Sequence, residues 1–163
     1  MDYLFKADLP YPEIGTLQPS EYEVRLIMPA YGGRGSETTA ALSYMYQYYV
    51  LDEKYKEIAT VLEQIAMTEM YHHEILGKLV VGFGGTPYYG ANRGFWQGGF
   101  VNYTRLPKEI LSVDVTSEKD AIRLYREIAA RTKSDTVKAC VERIILDEEV
   151  HIGTLNELLG TLS

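Results

Sequence analysis

Cysteine is almost absent from this 163-residue chain, where Cys140 stands alone. A single thiol makes no intrachain disulfide and no multi-thiolate metal site, so an oxidising compartment is not needed to account for it. Long apolar runs are missing as well. No stretch approaches the roughly 18 consecutive apolar residues of a membrane span. The start, MDYLFKADLPYPE, has neither a basic region nor an apolar core, so no secretory signal is expected and the cytoplasm is the expected location. Basic residues are outnumbered, 16 Lys and Arg against 23 Asp and Glu, for a net charge of −7. That balance argues against nucleic acid and against an anionic membrane surface as partners. Phenylalanine and tryptophan are scarce, at four and one, whereas tyrosine occurs 14 times. Hydrophobic residues at 46% and charged residues at 24% exclude a disordered or collagen-like chain and suit one domain over residues 1–163 with a full core.

Three of the six prolines, Pro10, Pro12 and Pro19, fall in the first 19 residues, which read as an extended arm. Ser20 with Glu23 has capping-box spacing and opens a helix expected to reach Met28. Pro29 and the run Gly32-Gly33-Arg34-Gly35 then interrupt it, and Ser36 caps a second stretch from Glu37 to about Val50. These two pieces are either one kinked helix or two short ones. Residues 53–81 carry Ile58, Val61, Leu62, Ile65, His72 and Leu76 at helical spacing. Residues 82–113, rich in glycine and aromatics, show no helical pattern and read as a long connection. Such a connection is uncommon unless it is functional or packs on a neighbour. Ser117 is expected to start the next helix, running to Lys133, and Ser134-Asp135 the last, ended by Gly160. The expected fold class is therefore all-α: a four-helix bundle with a long crossover between helices 2 and 3.

Two of the three histidines have a glutamate three residues before them, Glu69 before His72 and Glu148 before His151. On a helix these positions share a face one turn apart, so carboxylate and imidazole can grip one ion. A dinuclear site needs one further carboxylate from each remaining helix. Glu37 and Glu118 stand about thirty residues upstream of the two pairs, each in the first turn or two of its expected helix, and each is followed seven residues later by a tyrosine, Tyr44 and Tyr125. The chain thus holds a degenerate repeat, Glu-x6-Tyr and then Glu-x-x-His, used twice. Six metal ligands are expected, Glu37, Glu69, His72, Glu118, Glu148 and His151, with Tyr44 and Tyr125 orienting the glutamates by hydrogen bonds. Four carboxylates on otherwise apolar faces are costly to bury unless a metal compensates them. His73 falls off this face. Glu74, Glu127 and Glu149 read as solvated, and Cys140 as a small buried hydrophobe.

These residues resemble the ferritin-like superfamily of di-iron and di-manganese carboxylate proteins, over about residues 20–160. Tyr31-Gly32-Gly33, Gly35-Ser36-Glu37, Ala40-Ala41-Leu42, Tyr44 and Gln47 look like manganese catalases and their small spore-coat relatives. Ile144-Ile145-Leu146-Asp147-Glu148-Glu149-Val150-His151-Ile152 looks like the last helix of bacterioferritins and rubrerythrins. The resemblance implies two iron or two manganese ions on the six ligands, with Glu69 and Glu148 bridging. In the manganese catalases the glutamate matching Glu148 has an alternative role beside the metals, so Glu148, Tyr44 and Tyr125 are also the candidate catalytic residues. Bacterioferritins bind haem through a methionine directly after the second-helix glutamate. Met70 occupies that position, which makes haem an alternative cofactor against the plain reading of a packing residue. A rubredoxin-like centre is excluded by the single cysteine. Ala121 stands where rubrerythrins carry an extra glutamate, which disfavours their peroxidase cycle, and the short stretch after His151 disfavours an iron-storage shell.

The implied activity is an oxidoreductase acting on hydrogen peroxide or dioxygen. The alternatives are an iron-oxidising and iron-binding protein, or a coat or assembly protein with a vestigial site. Self-association into a homo-oligomer is expected from the aromatic crossover around Trp96.

Overall fold

The computed structural model describes residues 3–92 and 94–162. Its helices are α1 (Glu21–Gly32), α2 (Glu37–Leu51), α3 (Lys56–Gly82), α4 (Pro107–Arg131) and α5 (Asp135–Thr161). The segments α1 and α2 are separate helices that together make the first rod of a four-rod bundle. Ser20 caps α1 by accepting from the Glu23 N–H at 3.3 Å. The Glu23 carboxylate does not close a capping box. It is buried and accepts from Thr132 Oγ1 and the Lys133 N–H, tying α1 to the turn between α4 and α5.

The first helix passes through Pro29 instead of stopping at Met28. Proline supplies no N–H, so the Arg25 carbonyl one turn earlier loses its helical donor. The side-chain amide of Asn92 donates to that carbonyl at 2.9 Å, and the helix continues to Gly32. Ser36 then caps α2, as expected. Gly84 takes a left-handed φ of 83° just past α3, and the Gly85 N–H returns to the Val80 carbonyl, which closes the helix end.

The crossover is shorter than the expected 82–113. It ends at Leu106, and α4 starts at Pro107, ten residues before Ser117. Proline at the first helical position forfeits only an N–H that has no partner there. The helical period then runs through buried Ile110, Leu111, Asp114, Val115 and Glu118. Glu118 therefore lies in the middle of its helix and not in its first turns. The last helix is capped by Ser134 as expected, but it continues through Gly160 to Thr161.

Within the crossover, strands β1 (Gly90–Ala91) and β2 (Gly94–Phe95) form a small antiparallel hairpin. It lies on the first rod, held by Tyr31 Oη donating to the Pro87 carbonyl and Trp96 Nε1 donating to Thr39 Oγ1. Gly32 is required here. A Cβ at that position would come within 2.4 Å of the Gly90 carbonyl oxygen, and two backbones cannot give way as a side chain can. Gly32→Ala is expected to destabilise the fold by about 1–3 kcal/mol, as overpacking does, read as a lower urea midpoint with an unchanged slope.

Two apolar clusters fill the bundle. One gathers Ile27, Tyr31, Leu76, Leu79, Ile128, Val137 and Ile144 at the α1 end, and the other gathers Leu51, Leu62, Ile65, Ile110, Leu111 and Leu155 at the α2 end. Between them lies a layer of buried polar side chains contributed by α2, α3, α4 and α5. The arm before α1 packs along both clusters, through Tyr3 and Phe5 on one and Tyr11, Ile14 and Leu17 on the other. No helix among the described residues is long and apolar enough to cross a membrane.

Candidate metal centre

The polar layer contains all six residues expected as ligands, each at most 3% exposed. Their one-turn spacings on α3 and α5 aim Glu69 with His72, and Glu148 with His151, at a common centre. His72 Nδ1 lies 3.2 Å from Glu69 Oε2, 3.3 Å from Glu148 Oε1 and 3.8 Å from Glu37 Oε1. His151 Nδ1 lies 3.0 Å from Glu69 Oε1, 3.0 Å from Glu148 Oε2 and 3.6 Å from Glu118 Oε1. Two quartets result, Glu37-Glu69-His72-Glu148 and Glu69-Glu118-Glu148-His151, and within each the donor atoms lie within 4.8 Å of one another. Glu69 and Glu148 belong to both, each directing one oxygen to one histidine and the second oxygen to the other.

This arrangement is poorly satisfied by hydrogen bonds alone. Glu69 Oε1, both Glu148 carboxylate oxygens and His151 Nδ1 are buried and lack a hydrogen-bond partner. His151 Nδ1 stands 3.0 Å from both Glu69 Oε1 and Glu148 Oε2 without making a hydrogen bond to either. That is the spacing of neighbouring donors around an ion at about 2.1 Å. The donors are carboxylate oxygen and imidazole nitrogen, a set that suits iron or manganese. Four ionised glutamates carry four negative charges, which two divalent cations would cancel. The residues therefore fit a pair of divalent ions.

The titration of the cluster has the same origin. Burial, reinforced by the charges of Glu69 and Glu148, pushes Glu37 and Glu118 well above the usual carboxylate range. Burial opposes charge on Glu69 too, but His151 and His72 outweigh it and hold Glu69 well below that range. For the imidazoles burial favours the neutral form. It is overcome at His72 by Glu148 and the hydrogen bond to Asp147, and at His151 by Glu69 and Glu118, so both are raised well above the ordinary value. Without metal, the surroundings favour the protonated forms of Glu37, Glu118 and both imidazoles.

Tyr44 and Tyr125 are where they were expected, buried beside the layer, but their bonds cross the bundle. Tyr44 donates to Glu118, and Tyr125 donates to Glu37. Each tyrosine shares a helix face with one glutamate and holds the other. Burial and the neighbouring carboxylates raise both phenols well above their usual value, so they remain donors at any physiological pH.

Several participants were not singled out in the sequence. Asp147 Oδ2 lies 2.9 Å from His72 Nε2, and the same carboxylate takes Arg143 Nη1 at 2.6 Å, the Ala7 N–H at 2.7 Å and the Tyr11 hydroxyl. Arg143 also donates to the Ala7 and Leu9 carbonyls of the arm. The Phe5 carbonyl lies 2.8 Å from His151 Nε2. Both histidines thus commit Nε2 to an outer partner and leave Nδ1 facing the carboxylates. A helical Arg-x3-Asp pair directly before Glu148 was a readable signal; a backbone carbonyl from the arm left none. Gln47 Nε2 donates to Asp114 Oδ1 at 2.8 Å, and burial pushes Asp114 up to about 8.

A cavity of about 400 Å³ opens between α2 and α4 and reaches Glu37, Glu69, Glu118 and Glu148, with Arg34, Phe100 and Asp120 also on its wall. On the α3 and α5 side the arm covers the layer. Met70 stands outside the cluster on an exposed face of α3, half accessible to solvent, so it does not pack in the core. His73 stacks on Tyr31 and Tyr89, away from the cluster. Glu74 and Glu149 pair with Lys78 and Arg126 at the surface, and Cys140 is buried.

Comparison with known proteins places these features in context. A family model described as Ferritin-like matches residues 35–118, and one described as Rubrerythrin matches residues 109–163. No protein of curated function matches the chain. Among solved structures, the manganese catalase KatB from Anabaena superposes with a TM-score of 0.86 at 20% identity, covering 98% of this chain and 80% of that one. Rhodobacter capsulatus bacterioferritin gives 0.74 at 22% identity, covering 89% and 88%. Desulfovibrio desulfuricans bacterioferritin gives 0.72 at 25% identity, covering 86% and 79%.

Proposed function

The chain belongs to the ferritin-like family, and from that premise we propose that it is a dinuclear iron or manganese oxidoreductase acting on hydrogen peroxide or dioxygen. The observation that carries this reading is the pair of overlapping quartets sharing Glu69 and Glu148 at the inner end of an open cavity. The structural neighbours support it in kind: one is a manganese catalase, and another is a bacterioferritin with a diiron site.

Glu37 and His72 would hold one ion, Glu118 and His151 the second, and Glu69 and Glu148 would bridge. When bound, such a pair supplies Lewis acidity and one- or two-electron exchange. The protein's own contribution is positional. Tyr125 and Tyr44 each donate to one oxygen of Glu37 and Glu118, fixing the carboxylate rotamers from outside. The cavity admits a molecule the size of peroxide from the α2 and α4 side, while the arm excludes water from the histidine side. Disproportionation of peroxide needs no outside electron donor, which suits a fold whose clusters of metal-ligating side chains, among the described residues, are these two overlapping quartets. Exposed Phe95 and Tyr49 add support for self-association within the same reading.

The test is turnover by the reconstituted protein. Loaded separately with Fe(II) and Mn(II), it is expected to consume hydrogen peroxide with release of dioxygen, or to take up dioxygen as Fe(II) is oxidised. A preparation with both positions filled that does neither would overturn the oxidoreductase reading and leave a binding protein.

A further inference from the structure

The two halves of the centre share one plan of six clustered residues but differ in what backs their histidines. Asp147 directly precedes Glu148, and its carboxylate receives His72 Nε2 at 2.9 Å. Thr68 directly precedes Glu69 at the matching place in the other half. Threonine is short and uncharged, and it makes no bond to His151. Its hydroxyl lies 3.3 Å from both the Phe5 carbonyl and the Gln64 carbonyl of its own helix, and the Phe5 carbonyl faces His151 Nε2 at 2.8 Å. One imidazole is thus backed by a carboxylate, itself locked by Arg143, Tyr11 and Ala7. The other is backed by a neutral carbonyl on the N-terminal arm.

From this difference we infer that the centre is built unequal: the position at Glu37 and His72 binds a divalent cation more tightly than the position at Glu118 and His151, and Asp147, Thr68 and the arm set the difference. An anionic partner on the far nitrogen makes an imidazole a stronger donor than a neutral one does, and such outer contacts commonly change metal affinity by about 10–100-fold. The remaining ligands do not create the inequality, because each position has one terminal glutamate held by one tyrosine and shares the same two bridging glutamates. Asp147 and Thr68 are positioning residues here, acting through the histidines. The inference rests on the dinuclear reading above and specifies its order of filling.

The test is an anaerobic titration of the metal-free full-length protein with Mn(II), followed by calorimetry and by electron paramagnetic resonance. Two binding steps separated by about 10–100-fold are expected, with a mononuclear Mn(II) signal dominant at one equivalent. Anomalous scattering from crystals grown at one equivalent is expected to place the ion beside His72. Thr68→Asp supplies the missing carboxylate and is expected to tighten the second step toward the first, whereas Thr68→Val is not. Asp147→Asn is expected to weaken the first step and merge the two. Two ions bound with equal constants, or equal occupancy beside both histidines at one equivalent, would overturn the inference and leave the dinuclear reading standing. No Mn(II) bound by the unaltered protein would remove that reading and this inference together.

Discussion

Glu69→Ala is expected to bind neither metal ion, while Glu37→Ala is expected to keep one. The difference follows from how the carboxylates are shared. Glu69 directs Oε2 toward His72 and Oε1 toward His151, at 3.2 and 3.0 Å, so its loss removes a ligand from both quartets at once. Glu37 belongs to the His72 quartet alone, and its removal leaves Glu69, Glu118, Glu148 and His151 intact. Glu148→Ala is expected to behave like Glu69→Ala, and Glu118→Ala like Glu37→Ala with the surviving position reversed. Metal content after reconstitution and desalting, paired with peroxide consumption, reads the series. Turnover is expected to vanish in all four variants, because chemistry at a pair of ions needs both, while stoichiometry separates them into two classes. Because Ala at position 69 removes one of the two carboxylates shared by the buried imidazoles, helical content by circular dichroism accompanies each measurement. Equal metal content in Glu69→Ala and the unaltered protein would contradict the bridging assignment.

The metal-free protein is expected to lose stability as pH rises from about 5 to 8.5, and the loaded protein is expected to lose less. Glu37, Glu118, Asp114, His72 and His151 all hold protons more tightly in the folded chain than in the unfolded one. Over the interval between the two values the native state binds more protons, so the free energy of unfolding falls with rising pH. For Asp114 that interval runs from an ordinary carboxylate value of 3.8 to about 8. For the histidines it begins at 6.5 and extends upward. Glu69 and Asp147 are shifted downward and contribute the opposite slope only under acid conditions. His73, lowered by burial, opposes the trend only below 6.5. A drop in melting temperature of about 10 °C or more across the window corresponds to a few kcal/mol for a chain of this size. Bound cations would replace the protons on Glu37, Glu118, His72 and His151, though not that on Asp114, so metal affinity is expected to rise with pH and the slope to flatten. Scanning calorimetry with a chelator and with Mn(II), at matched pH values, checks both statements.

The clustering of these six residues was legible because it is written in one-turn spacings, which a helix converts directly into a shared face. Glu69 with His72 and Glu148 with His151 needed no tertiary information. Glu37 and Glu118 followed from the need for one further carboxylate from each remaining helix and from the repeat. What spacing does not carry is direction across the bundle. Tyr44 lies on the face of Glu37 but reaches Glu118, since a phenol extends past its own helix axis to the neighbour opposite. The start of α4 was obscured because Gly and aromatic residues before it blend into Leu106-Pro107, although Pro107 with Glu109 is itself an N-terminal signal. The passage of α1 through Pro29 depended on Asn92, 63 residues away in sequence, donating to a carbonyl the proline had orphaned. Apart from the Tyr11 hydroxyl on Asp147, the arm's contribution rests on backbone carbonyls and an N–H, groups that every sequence offers and none advertises. Asp147 lay in plain view within Asp147-Glu148-Glu149-Val150-His151, but its service to His72 on another helix is a fact of packing.

The central claim is that six side chains form one buried site for two ions, and the most direct test is elemental analysis of the purified, tag-free protein. The analysis is run as isolated and again after reconstitution with Fe(II) or Mn(II) and exhaustive desalting. About two iron or manganese ions per chain are expected, as for other four-helix carboxylate sites, falling to about one in Glu37→Ala. A chain that emerges from reconstitution with both metals carrying no bound ion would contradict the claim, and the buried quartets would then be a proton-filled polar layer and nothing more.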